Sequence, residues 1–119
     1  MSENNLQQLL DSAIKGLQEK KAVDIVSIDL RKIENSICKY FVICNGTSNT
    51  HVEGLANSTI DEIFNNCNEK PLYMDGFKNA EWILIDYADV IVHIFQKEKR
   101  ELYQLETLWM DGIINKIEE

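Results

Sequence analysis

Two histidines, three cysteines and twenty acidic residues are the side chains able to do chemistry in this chain of 119 residues, and their spacing decides which chemistry is open. Cys38, Cys44 and Cys67 form no C-x-x-C pair, so neither a zinc knuckle nor a disulfide framework is encoded, and reduced structural thiols are expected. Asp86, Asp89 and His93 gather around one short turn and are the candidate ligands for a metal ion, but carboxylates that bracket a turn more often stabilise it or face water. Gly46-Thr47-Ser48 ahead of a helical pattern is a place where backbone N–H groups attract anions. A single glycine is neither a Walker loop nor a dinucleotide fingerprint, and a turn with a hydroxyl cap accounts for the same residues. Two-metal nucleotidyl transfer needs a glycine-serine turn followed by carboxylates alternating on a strand. Here Asp61 and Glu62 are adjacent on a helical stretch. No catalytic residue, metal or cofactor is therefore expected.

Charge narrows the partners. Twelve basic against twenty acidic residues leave a net charge of −8, which opposes extensive direct contact with nucleic-acid phosphates. The start Met-Ser-Glu-Asn-Asn has neither a basic opening nor an apolar run after it, and no stretch reaches the roughly eighteen apolar residues of a membrane span, so a soluble cytoplasmic protein is expected.

These side chains must be positioned by a single domain over residues 1–119, a length suited to one core. Leu6, Leu9, Leu10, Ala13, Ile14 and Leu17 recur at helical steps and predict a first helix ending near Lys20 and Lys21. From Asp24 the period becomes two, with Val26, Ile28 and Leu30 alternating against Ser27, Asp29 and Arg31, as in a strand with one wetter face. Tyr40-Phe41-Val42-Ile43-Cys44 is apolar on both parities and predicts a central strand covered on both sides. Thr50-x-x-Glu53 reads as a capping box, with Ser48 a rival cap, opening a helix with the stripe Val52, Leu55, Ala56, Thr59, Ile60, Ile63, Phe64 and Cys67. Pro71 suits the first residue of a short strand through Met74, and Gly76 supplies the turn of a hairpin. Trp82 to Asp86 and Val90 to Gln96 are strands joined by Tyr87-Ala88-Asp89, short enough to force antiparallel pairing. A last helix from about Glu98 is predicted to bury Leu102, Leu105, Leu108 or Trp109, and Ile113. The sum is an α+β fold, a mixed five-stranded sheet with helices packed on it, in the order α-β-β-α-β-β-β-α.

Three segments, residues 40–52, 80–95 and 100–109, stand in an order and spacing that resembles the ribosomal silencing factors, the Iojap-related family. They read Tyr-Phe-Val-Ile-Cys-Asn-Gly-Thr-Ser-Asn-Thr-His-Val, Ala-Glu-Trp-Ile-Leu-Ile-Asp-Tyr-Ala-Asp-Val-Ile-Val-His-Ile-Phe and Arg-Glu-Leu-Tyr-Gln-Leu-Glu-Thr-Leu-Trp. With the first helix and the Asp24 strand start, the similarity covers roughly residues 6 to 111. Ala88 replaces the family's usual glycine in the strand turn, which puts the turn geometry in question, and Lys39 replaces its usual acidic residue.

The resemblance implies a non-enzymatic translational repressor that binds the large ribosomal subunit through ribosomal protein L-fourteen and sterically blocks the small subunit. Homodimerisation away from the ribosome is also expected. Trp82, Asp86, Tyr87 and His93 are the candidate contacts. Each has a plainer reading: Trp82 a core tryptophan, Asp86 a turn group, Tyr87 a ring folded over the sheet edge, and His93 a satisfied histidine on a covered face. Tyr87, in the tight turn, is expected to be exposed. Tyr103, Leu105, Glu106 and Trp109 match the family too and read as structural, with Glu106 placed to reach a basic residue. The alternatives are a metal-dependent nucleotidyltransferase-like enzyme using Asp86, Asp89 and His93, and a homodimeric adaptor with another partner.

Overall fold

The doubly apolar segment makes the middle of the sheet. In the computed structural model, which describes residues 3–118, strand β2 (Tyr40–Gly46) is buried along its whole length. Its neighbours are β1 (Val23–Asp29), antiparallel to it, and β5 (Val90–Gln96), parallel to it. The parallel pair needs a crossover, which helix α2 (Asn49–Cys67) begins, and β3 (Tyr73–Asp75) and β4 (Trp82–Asp86) then lead back antiparallel to β5. Helix α1 (Glu3–Glu19) precedes β1 and packs on α2. After β5 come two short helices, α3 (Lys97–Tyr103) and α4 (Leu105–Leu108), and a strand β6 (Ile113–Lys116), giving the sheet order β3-β4-β5-β2-β1-β6.

Apolar side chains fill both sides of this sheet. Leu6, Leu9, Leu10 and Leu17 of α1 and Val52, Leu55 and Ile63 of α2 cover one face over Val42, Cys44, Val92 and Ile94. The opposite face holds Val26, Ile28, Phe41, Ile43, Ile91 and Phe95, with Leu105 and Trp109 packed partly over them. The two helices meet closely at Gly16, where a Cβ would lie 2.8 Å from the Thr59 Cα.

Five expectations from sequence are corrected. The sheet has six strands rather than five, because the chain after Trp109 pairs with β1 instead of continuing as a helix. Gln104 takes a left-handed φ of 48°, which ends α3, and Leu102, Leu108 and Ile113 are exposed rather than buried. β1 would otherwise be a bare edge of unpaired N–H and C=O groups, and Ile113-Ile114-Asn115-Lys116 caps it. Gly112 permits that approach, since a Cβ there would stand 2.6 Å from the Ile28 side chain. β1 does not alternate wet and dry: Ile25, Val26, Ser27 and Ile28 are all buried, and Ser27, expected to face water, is 4% exposed. Ser48, not Thr50, caps α2, its Oγ accepting the His51 N–H at 3.0 Å. Pro71 and Leu72 precede β3 rather than starting it, although the Leu72 N–H bonds the Asp86 carbonyl at 2.8 Å.

The β4–β5 turn explains the Ala88 question. Ala88 sits at φ 72°, the left-handed region that glycine enters freely and alanine does not, held there by Asp86, whose Oδ1 accepts the Ala88 N–H at 2.7 Å. Ala88→Gly is therefore expected to raise stability by about 0.5–1 kcal/mol, the relief of strain exceeding the added entropy of the unfolded glycine. Urea denaturation checks this, and a midpoint equal to or below that of the parent chain contradicts it.

Candidate functional site

Strand parity gathers an aromatic cluster on the face away from α1 and α2. Trp82 pairs with Phe95 across β4 and β5, and Leu84 pairs with His93. The Trp82 and Phe95 rings stack at 4.9 Å, and Tyr103 from α3 approaches Trp82 to 4.7 Å. Phe41 meets His93 edge-on at 4.8 Å, and Trp109 meets Phe41 edge-on at 5.6 Å. Such edge-on and offset pairs are the favoured arrangements of aromatic quadrupoles.

One hydrogen bond sets the chemistry of the cluster. The Trp82 indole Nε1–H donates to His93 Nδ1 at 3.1 Å. An imidazole that accepts at Nδ1 while neutral carries its proton on Nε2. His93 is 5% exposed, and burial lowers its pKa to about 4, so the ring is neutral near pH 7. Its Nε2–H meets no acceptor among the described residues.

The sign of the pH effect follows. The folded pKa lies below the unfolded value of about 6.5, so the unfolded chain takes up the proton first as pH falls. The contribution of His93 to stability is complete above about pH 6.5, falls as pH drops, and is fully lost below about pH 4. Many carboxylates titrate in the same window, so the expected result is a difference: stability of His93→Gln falls less steeply between pH 6.5 and 4 than that of the parent chain. Parallel pH–stability curves would contradict this.

The candidate contacts separate on the structure. Trp82 and His93 come together, and Asp86 lies on the same strand face as Trp82 and Leu84, half-buried. Tyr87 does not join them. It is 4% exposed and belongs to the core under α1 and α2, where burial pushes its phenol pKa upward, so the expectation of an exposed ring in the turn is corrected. Its place next after Asp86, at the strand end, turns it to the other side of the sheet, where an apolar core awaits it. Phe41, Phe95 and Leu84 join the cluster without a local signal of their own beyond the shared parity of His93 and Phe95, and Tyr103, expected to be structural, packs against Trp82.

The other reactive groups are engaged elsewhere. His51 clasps the end of α1 to the start of α2, its Nδ1 accepting the Thr47 N–H at 2.9 Å and its Nε2 lying 2.7 Å from the Lys20 carbonyl. Cys38 and Cys44 are buried thiols pushed up to about 12 by desolvation, which suppresses the reactive thiolate. Among the described residues no group of three or more His, Cys, Asp or Glu is placed to hold a metal, and no helix is long and apolar enough to cross a membrane.

Residues 3–119 match the family model described as ribosomal silencing factor during starvation. The chain belongs to the ribosomal silencing factors. It is 36% identical over 108 residues to the ribosomal silencing factor of Bacillus subtilis, covering 91% of this chain and 90% of that one. A crystal structure of a Chromobacterium violaceum protein superposes with a TM-score of 0.82 at 30% identity, covering 88% of this chain and 86% of that one. A mouse protein named for mitochondrial assembly of the ribosomal large subunit is 28% identical over 84% of this chain and 44% of its own length. The silencing factors are a family named for an effect on the ribosome rather than for a reaction.

Proposed function

We propose that this silencing factor represses translation in the cytoplasm by docking on the large ribosomal subunit through ribosomal protein L-fourteen, where its bulk blocks the small subunit, with no bond made or broken. The supporting observation is Trp82: a half-buried indole held by Phe95, Tyr103 and the hydrogen bond to His93, with part of its surface left for a partner. A large ring fixed in advance loses little entropy on binding, which is why tryptophan recurs at interface hot spots. Leu84 and Asp86 extend the contact along β4, His93 supports Trp82 from below, and Tyr87 shapes the neighbouring turn from inside the core. The net charge of −8 suits a basic ribosomal partner, because opposite potentials speed encounter and disfavour wrong partners. The mouse relative's name, with its large ribosomal subunit, points the same way.

Co-sedimentation with purified subunits tests the proposal. The chain is expected to travel with the large subunit, to lower the yield of assembled ribosomes, and to bind less well as salt rises. Failure to enter the large-subunit fraction at low salt would overturn it.

A second copy is the proposed occupant of the free edge when no ribosome is present. β3 is an edge strand of three exposed residues, flanked by Leu72 at 75% exposure. An exposed apolar edge offers unpaired N–H and C=O groups to another chain. Sedimentation velocity on the free protein decides this, and a monomer throughout the micromolar range removes it.

A further inference from the structure

Residues 97–109 lie across the aromatic face without sinking into it, and beyond them residues 113–116 pair with the outer edge of β1 as the exposed strand β6. Neither α3 nor α4 contains a buried residue, and Gln104 between them is left-handed. The inner contacts are few: Tyr103 on Trp82, Trp109 on Phe41, and Leu105 packed partly against the cluster. The β6–β1 backbone ladder holds the far end, and Arg100 provides the side-chain fastening of the near end. Its Nη1 donates to the Asp24 carbonyl at 2.6 Å and to Asn45 Oδ1 at 2.9 Å, while Nε and Nη2 donate to the two Glu106 oxygens at 3.4 and 3.2 Å. Beside this guanidinium the segment stands off the sheet over an open groove of about 780 Å³, lined by Val26, Asn45, Arg100, Gln104, Thr107 and Lys116. A segment with few buried apolar contacts opens at low free-energy cost.

Beneath it lies a polar group that the closed arrangement leaves unserved. His93 Nε2–H has neither a protein acceptor among the described residues nor any exposure to solvent. An unpaired buried donor is destabilising, and a group that uncovers it and accepts its hydrogen bond removes that penalty. Because Nδ1 is already filled by the Trp82 indole, the newcomer must be an acceptor; a donor would meet N–H with N–H.

Resting on the docking proposal above, we infer that residues 97–116 form a hinged strap over the docking face. The basic partner displaces Leu105 and Trp109, packs on Phe41, and supplies an oxygen acceptor to His93 Nε2. The hidden face is thus part of the interface, and the strap keeps it covered until docking.

Locking the strap tests this. The Ile117 N–H bonds the Ile25 carbonyl, so Val26 and Lys116, which face each other, form a non-hydrogen-bonded pair. Such pairs have Cα atoms about 4.5 Å apart, within the range a disulfide spans. In the V26C/K116C double variant, oxidation is expected to weaken large-subunit binding at least tenfold and reduction to restore it, the reduced form serving as the folding control. Equal binding by the oxidised and reduced forms overturns the strap even where the unmodified chain binds. Hydrogen exchange on the free, unmodified chain gives a readout independent of the ribosome. Strap amides are expected to exchange at least a hundredfold faster than those of β5, and equal protection overturns the strap. For the acceptor, His93→Gln, which keeps a donor, is expected to bind several-fold better than His93→Leu, and equal loss in both overturns that part. If the unmodified chain does not bind large subunits, the docking proposal fails, and the exchange measurement still decides whether the strap opens.

Discussion

Trp82→Ala is expected to weaken binding to the large ribosomal subunit at least thirtyfold, the equivalent of about 2 kcal/mol lost at an interface hot spot. The indole stacks on Phe95, carries Tyr103 on its other contacts, and fixes the His93 ring through Nε1–H. Removing it deletes the anchor and also frees His93 Nδ1, so the imidazole no longer has one enforced tautomer. Trp82→Phe separates these effects. It keeps a ring on Phe95 but no donor, and an intermediate loss of roughly fivefold is expected if the hydrogen bond, worth about 1 kcal/mol, contributes to the prepared face. Binding is measured by co-sedimentation titration at a temperature where circular dichroism shows each variant folded. Full affinity in the alanine variant would remove Trp82 from the interface.

Gly76→Ala is expected to be the most destabilising single-methyl addition in the chain. Gly76 holds φ 93°, and a Cβ there would lie 1.9 Å from the Trp82 carbonyl oxygen and 3.2 Å from the Ile83 Cα. Neither neighbour is the end of a flexible side chain, so β4 itself must shift. The surrounding bonds oppose such a shift: the Gly76 N–H donates to Asp75 Oδ1 and its carbonyl accepts from the Ala80 N–H, both at 2.9 Å. Left-handed strain of about 1–2 kcal/mol and overpacking of about 1–3 kcal/mol together point to a loss near 3 kcal/mol. For a chain of this size that is a fall in Tm on the order of 10 °C. The displaced residue is Trp82, so subunit binding should weaken as well. A melt within about 2 °C of the parent would show that the hairpin yields without strain.

The contrast between neighbouring segments shows what local pattern carries. The strands Trp82–Asp86 and Val90–Gln96 have the bounds their composition predicts, because β-branched and aromatic residues end on each side at turn residues. The helical reading from Glu98 held for its start, since α3 and α4 are helical, but not for an unbroken helix reaching Ile113. Leu102, Leu105, Leu108 and Trp109 have helical spacing, but spacing does not register that the neighbouring edge of β1 lacks partners or that Gly112 can approach Ile28. The spacing of Glu106 places it within reach of a basic residue, and Arg100 is that residue; Arg100's further bonds to Asp24 and Asn45 cross more than fifty positions of sequence and leave no local trace.

By itself the sequence determined the α+β class, the central strand, the two-helix layer and the family, since each depends on periodicity or on ordered motifs along the chain. Only the tertiary structure decided which side of the sheet each aromatic ring occupies. Tyr87 turned into the helix-covered core, while Trp82 and His93 met on the opposite face. Side-chain parity follows from register, and register follows from which strands become neighbours. That choice rests on contacts distant in sequence, between strands that must bury both faces and satisfy their edges at once.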